Sequence, residues 1–329
     1  MIVSVLRPPC CSTPRRGPVR WTPQTALWAL VLLVSSLLTG QAAAQEKLAT
    51  TLASRYATMR SQLDASPLGV PVLVASFDDG NEVRGEVYAL LDQPFEQLLA
   101  RLGVARDWCQ IVLLHLNIKT CTHERTAGRE WLTFYSGRKF YESPDKAYPL
   151  RFVFHSSASP GEVLDLELSA ATGPLNTSDY RITFSAIPIA QGSFVRFSYA
   201  YRSSVLSRLA MDTYLATLGR DKVGFTIAGT ATDGKPKFVD GRRGVVERNA
   251  VRYYFAIQAH LEGLAAPPEQ RFERNLARWF ELTERFPRQL HELNADEYLQ
   301  AKRLEFAEQS KRQRALDAAD AGLRTGATQ

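Results

Sequence analysis

Four side chains able to hold a metal ion or cross-link the chain fall close together: Cys109, His115, Cys121 and His123. Their spacing, C-x5-H-x5-C-x-H, is not one of the paired-ligand patterns that fold around tetrahedral zinc, so no metal site is expected. The two thiols are better candidates for a disulfide, provided that the chain reaches an oxidising compartment. The signatures G-x-S-x-G, H-E-x-x-H, C-x-x-C and G-x-G-x-x-G and the phosphate loop are all absent, so no catalytic residue and no cofactor is expected. His155 follows Phe154 in an alternating segment, which turns the two side chains to opposite faces of a strand. Glu162, Asp165 and Glu167 would make a carboxylate group, but polar alternation on a half-exposed strand accounts for Asp165 and Glu167 without chemistry.

A basic cluster, Arg242, Arg243, Arg248 and Arg252, precedes the apolar run at 251–263. The simpler reading is solvated charge with Glu247 as partner, since surface pairs are common and weak. The functional reading is contact with lipid head groups or an anionic ligand group, which would make a transient membrane-surface contact. Five rings, Tyr180, Phe184, Phe197, Tyr199 and Tyr201, recur at period two on two neighbouring segments and therefore share a face. Such a face is either packed core or the wall of a cavity with tyrosine hydroxyls as its polar anchors.

The compartment is set by the first 44 residues. Arg7, Arg15, Arg16 and Arg20 occur there without an acidic residue, followed by an almost wholly apolar stretch at 26–38 and by Gln41-Ala42-Ala43-Ala44. A charged region, a short apolar region and a small-residue cleavage site make a secretory signal, so the protein is expected in the periplasm or secreted. Losing the leader removes four arginines and lowers the formal charge from +6 to +2. That is not the footprint of a nucleic-acid binder, and no nucleic-acid partner is expected. Cys10 and Cys11 leave with it, so Cys109 and Cys121 remain as a pair in an oxidising compartment.

The elements that position these residues follow from hydrophobic period. Residues 45–81 form a lead-in with a weak helical pattern and a valine-rich run. A strand at 82–91 gives way at Asp92-Gln93-Pro94 to two short helices, the first closed by Gly103 and the second running through Trp108, Ile111, Val112 and Leu114. From 117 onward alternation dominates, with turns at Ser143-Pro144-Asp145, Ser159-Pro160-Gly161, Gly173-Pro174 and Gln191-Gly192, which makes an antiparallel meander. Ser136-Gly137 reads as a hairpin turn between 131–135 and 138–142, or as a bend in one strand. Helical period returns at 205–218. After an irregular stretch, a long helix is expected to start near Asn249 and run to Gly263. The segment 267–329 is expected to be a helical extension, amphipathic through Phe272, Leu276, Trp279 and Phe280 and fraying into solvent beyond Phe306.

One strand, two short helices, a meander and a long late helix is an order that resembles the START-like superfamily, in its polyketide cyclase and lipid-transfer form. The resemblance is carried by VYALLDQPFEQLLARL, by DWCQIV, by the meander at 131–201 and by VRYYFAIQAHLEG; it covers about residues 82–263, within a ligand-binding domain expected at 82–266. It implies an α+β helix-grip fold, a curved antiparallel sheet wrapped around a long C-terminal helix with an apolar tunnel between them. It implies also that Tyr180, Phe184, Phe197, Tyr199 and Tyr201, with Ala256 on the helix, line a cavity for a lipid or other hydrophobic small molecule. The same superfamily contains cyclases and hydrolases, so the alternatives are an enzyme on this fold and an envelope interaction protein with a filled cavity.

Overall fold

The computed structural model describes residues 23–326 apart from 160 and 218, with side chains described over 43–321. The chain divides into two units, Met1–Ala44 and Gln45–Gln329. The expected leader lies mostly outside the described residues: 1–22 are not described, and 23–42 are described only as the backbone of a helix, α1 (Pro23–Asp64). Among the described residues no helix is long and apolar enough to cross a membrane.

In the second unit, eight strands form one antiparallel sheet: β1 (Val72–Asp78), β2 (Glu82–Leu91), β3 (Ile118–Thr126), β4 (Arg129–Ser136), β5 (Tyr148–Ser159), β6 (Val163–Thr172), β7 (Ser178–Ile189) and β8 (Gly192–Arg202). Their order is β1-β2-β8-β7-β6-β5-β4-β3. Each strand pairs with its sequence neighbour except at one place. There β2 pairs with β8, while α2 (Phe95–Leu102) and α3 (Ala105–Val112) carry the chain to the opposite border of the sheet. Pro94 and Gly103 bound α2 as expected, and its Phe95, Leu98 and Leu102 are buried. Period two holds along the meander: Leu150, Phe152 and Phe154 face the core, while Arg151 and His155 face solvent. The sheet wraps around α5 (Gly241–Gly263), a helix buried on nearly every side. This is the α+β helix-grip architecture.

The lead-in is part of this body. Leu52 and Leu63 of α1 pack with Tyr88, Val163, Ile187 and Phe194 on the side of the sheet away from α5, and β1 is a full strand in register with β2. Where β2 passes beneath α5 the backbones approach so closely that a Cβ on Gly85 would stand 2.7 Å from the Val246 carbonyl oxygen. Gly85→Val should therefore push α5 off the sheet and cost about 1–3 kcal/mol, as overpacking of a filled interior does. Urea unfolding should show a lower midpoint at unchanged slope.

Three expectations about elements are corrected. Residues 138–142 form no strand: β3 and β4 turn at Ala127-Gly128, both with positive φ, and β4 ends at Ser136. Beyond it Gly137 and Asn117 exchange hydrogen bonds of 2.7 and 2.8 Å, and Lys119 Nζ donates to the Phe140 carbonyl, which draws the chain out of the sheet. Helix α5 starts at Gly241, a turn or more before the expected start near Asn249; the two glycines of its first turn hide it from propensity. Among the described residues, the segment beyond Phe306 does not fray. After α6 (Arg271–Glu284) and α7 (Pro287–Leu290), helix α8 (Ala295–Gly326) runs along β3. Gln309 accepts from the Cys121 N–H at 2.8 Å and donates to the Cys109 carbonyl at 3.3 Å, and Gln313 accepts from the His123 N–H and donates to the His123 carbonyl. Nearer the helix start, Glu305 is fully buried between Lys119, at 2.9 Å, and Lys302, at 2.7 Å.

Candidate functional site

The rings that alternate along β7 and β8 divide between two environments. Phe184 and Phe197 face each other in register and are fully buried in the core, as is Ala256 of α5. Those three residues do not line the cleft described next. Tyr180, Tyr199 and Tyr201 do, because a register shift between Ser178 and Arg181 breaks the β7–β8 ladder there and α5 presents its first half, rather than its second, to that end of the sheet. The rings form a continuous series: Tyr201 stacks on Tyr180 at 5.4 Å between centroids, Tyr199 lies 5.7 Å from Tyr253 of α5, and Tyr253 stacks on His115 at 4.3 Å.

Opposite the rings, α4 (Val205–Ala216) supplies the other wall. Ser204 caps it by accepting from the Ser207 N–H, with the reciprocal bond from the Ser204 N–H to Ser207 Oγ, and Arg208, Met211 and Tyr214 then face the space that the tyrosines leave. Pro174, Leu175 and Thr177 from the β6–β7 connection, and Val245 and Asn249 from α5, complete a cleft of about 370 Å³, within the size range of small-molecule sites. The expected helix at 205–218 is thus present, but its apolar face is not in the core: Val205, Leu206 and Leu209 are exposed.

The electrostatics of the cleft are simple. Burial pushes Tyr180 up to about 12, although its hydroxyl shares a 2.8 Å hydrogen bond with Thr177 Oγ1; burial raises Tyr199 well above the usual phenol range and also raises Tyr201 and Tyr253. His115 is held well below the usual imidazole range, first by burial and then by Arg252, Lys302 and Lys119 nearby. Among the described residues no carboxylate lines the cleft, and its two cations are Arg208 and Arg242. Arg242 is paired with Asp78 at 2.8 Å, and Arg208 donates to the Gly80 carbonyl. Burial therefore keeps Tyr180, Tyr199, Tyr201, Tyr253 and His115 uncharged at neutral pH.

The remaining candidates lie elsewhere. Cys109 and Cys121 form a disulfide with Cα atoms 5.0 Å apart, joining α3 to β3, so neither thiol is available as a ligand beside His115 and His123. His123 pairs with Glu130, and His155 is exposed on β5. Asp165 accepts from Ser185 Oγ, Glu167 pairs with Arg181 at 3.5 Å, and Glu162 is exposed, so the three carboxylates do not act as a group. Half of the basic cluster is solvated, since Arg243 is exposed and Arg242 half-buried, and the other half is not. Arg248 and Arg252 are 2% exposed; Arg252 pairs with Glu292 at 2.9 Å, and Arg248 donates to the Val223 carbonyl. Glu247, expected to be their partner, is fully buried and accepts instead from Ser76 Oγ, the N–H groups of Phe225 and Thr226, and Thr226 Oγ1, which docks the 217–240 stretch on α5. A head-group contact through Arg248 or Arg252 is therefore ruled out by their burial.

His115 is the cleft residue that sequence reasoning weighed only as a metal ligand. Its signal was one polar side chain in the otherwise apolar run Ile111-Val112-Leu113-Leu114-His115-Leu116. No family model and no curated protein matches the chain. Solved structures similar to it include a STAR-related lipid transfer protein fragment from Xanthomonas axonopodis, with 17% identity over 44% of this chain and 86% of that one, TM-score 0.31. The Zhui aromatase/cyclase from Streptomyces sp. R1128 aligns at 12% identity over 58% and 95%, TM-score 0.30. Norcoclaurine synthase from Thalictrum flavum aligns at 11% identity over 45% and 82%, TM-score 0.29. The strand order β1-β2-β8-β7-β6-β5-β4-β3 closed around α5 makes the chain a helix-grip protein.

Proposed function

We propose that the protein binds one hydrophobic small molecule or lipid in the cleft between α4, α5 and the tyrosine face of β7 and β8, and that it does so without chemistry. The observation that carries this reading is the composition of the cleft: rings, Met211, Val245 and Leu175 around a space of about 370 Å³ that, among the described residues, has no carboxylate in it. A hydrolase or cyclase needs a base with a free lone pair. Here burial keeps the phenols of Tyr180, Tyr199, Tyr201 and Tyr253 neutral, and the accepting nitrogen of His115 is taken by the Asn117 N–H. The exposed Val205, Leu206 and Leu209 on α4 adjoin this wall, and in this reading they meet a membrane surface while a ligand is loaded or delivered. The composition of the first 44 residues and the Cys109–Cys121 disulfide support a periplasmic or secreted location.

The test is to fill the cleft. Val245→Trp should abolish the fluorescence gain of the neutral, environment-sensitive naphthalene dye Prodan while leaving the far-ultraviolet circular dichroism unchanged. Ala256→Trp, which overpacks the solid half of the core, should lower stability by about 1–3 kcal/mol and leave Prodan affinity of the folded protein as it was. Undiminished binding in Val245→Trp would sink the reading.

A further inference from the structure

His115 lines the cleft, is 2% exposed and, among the described residues, has no hydrogen-bond partner for Nε2. Its tautomer follows from its surroundings. The Asn117 backbone N–H donates to Nδ1 at 3.1 Å, so Nδ1 carries the lone pair and the neutral ring carries its proton on Nε2. Burial and the nearby cations Arg252, Lys302 and Lys119 keep the ring neutral. The ring is also held in place. It stacks on Tyr253 with 22° between planes, and its own backbone carbonyl accepts from Lys302 Nζ at 2.8 Å and from the Ile118 N–H at 3.0 Å. Turning the ring over would give up the bond to Asn117. A fixed, buried N–H donor without an acceptor is costly, and such groups call for a specific explanation.

We infer that His115 Nε2–H is the donor that reads an oxygen acceptor on the inner end of the ligand. The cleft then takes a hydrophobic molecule with a carbonyl or hydroxyl oxygen at that end, in preference to a bare hydrocarbon or an amine. This rests on the reading of the cleft as a binding site. The rejection of amines has its own cause: the positive groups that depress His115 repel an ammonium ion, whereas the negative end of a C=O or O–H dipole is attracted. Tyr199 and Tyr253 line the same space and can donate to the same oxygen.

The experiment uses three naphthalenes of matched shape: 2-acetylnaphthalene, 2-ethylnaphthalene and 2-(aminomethyl)naphthalene. The full chain should bind the ketone roughly tenfold more tightly than the hydrocarbon, the range expected when a buried donor gains or loses its partner, and should bind the amine most weakly. His115→Phe keeps the stack on Tyr253 and removes the donor. It should bring the ketone down to the hydrocarbon's affinity, while His115→Gln, which retains an N–H donor, should keep part of the preference. Nitrogen-15 histidine spectra of the unaltered protein supply a readout that does not depend on a variant folding: the Nε2–H resonance of His115 should shift with the ketone and not with the hydrocarbon. Equal affinity for ketone and hydrocarbon, a preference that survives His115→Phe, or an unmoved Nε2–H resonance overturns the assignment of His115 while leaving the cleft as a binding site. Failure of all three compounds to bind overturns both.

Discussion

Glu305→Ala is expected to cost about 3–5 kcal/mol, the effect of removing one partner from a buried ionic group, and so to consume much of the stability of a domain of this kind. The carboxylate is fully buried and is shared by two ammonium groups. Each ammonium also donates to two carbonyls, Lys119 to Leu116 and Phe140 and Lys302 to His115 and Ile118, so all six donors are used. Removal of Glu305 would leave two positive charges facing each other without water. Burial, and then Lys119, already lower Lys302 to about 8. Two companion variants separate charge from packing. Glu305→Gln, of the same shape, should lose nearly as much as alanine, and the triple change Glu305→Leu, Lys119→Met, Lys302→Met should recover most of the loss, since apolar replacement of a whole buried ionic group is often neutral. Chemical denaturation at neutral pH reads all three. A loss below about 1 kcal/mol for Glu305→Ala would mean that the group is hydrated and that α8 is peripheral.

Reduction of the Cys109–Cys121 bond, or its replacement by alanines, is expected to cost about 3 kcal/mol, because the bond closes a loop with a sequence separation of 12 and removes that freedom from the unfolded chain. The loss should not be confined to the loop. The bond fixes α3 to β3 at the place where Gln309 of α8 touches both cysteine backbones, so hydrogen exchange should accelerate in β3 and α8 together while α5 and β7 stay protected. Free-thiol titration of the denatured, unreduced protein gives the control and should find no thiol from this pair.

The grip architecture was legible because each of its elements buries one face and leaves a period in the sequence. Alternation in β5 to β8 and the 3.6-residue spacing of Phe95, Leu98 and Leu102 are direct records of burial. What escaped was polar. Gln309 and Gln313 read as part of a tail fraying into solvent, and Glu305 just before it drew no notice, since nothing in their types reveals that β3 lies alongside. Arg248 and Arg252 read as surface charge for the same reason, although Glu292 and the Val223 carbonyl await them inside. The ring alternation identified the wall of the cleft but not where it ends. Phe197 and Tyr199 have the same period, and only the placement of α4 and the first half of α5 separates packed ring from open ring.

The glutamine pairs of α8 bear on how the molecule behaves in company. A border strand of a sheet displays a row of N–H and C=O groups that any extended peptide can adopt as a template, which is how sheets grow into fibrils. In β3 the N–H groups of Cys121 and His123 and the carbonyl of His123 are instead occupied by side-chain amides, held at the 309 and 313 positions of one helical face. A helix cannot be extended by another strand, so it terminates the sheet as a further strand could not. A chain clipped before α8 would lose this stop along with the Glu305 ionic group, and its characteristic failure would be self-association through β3.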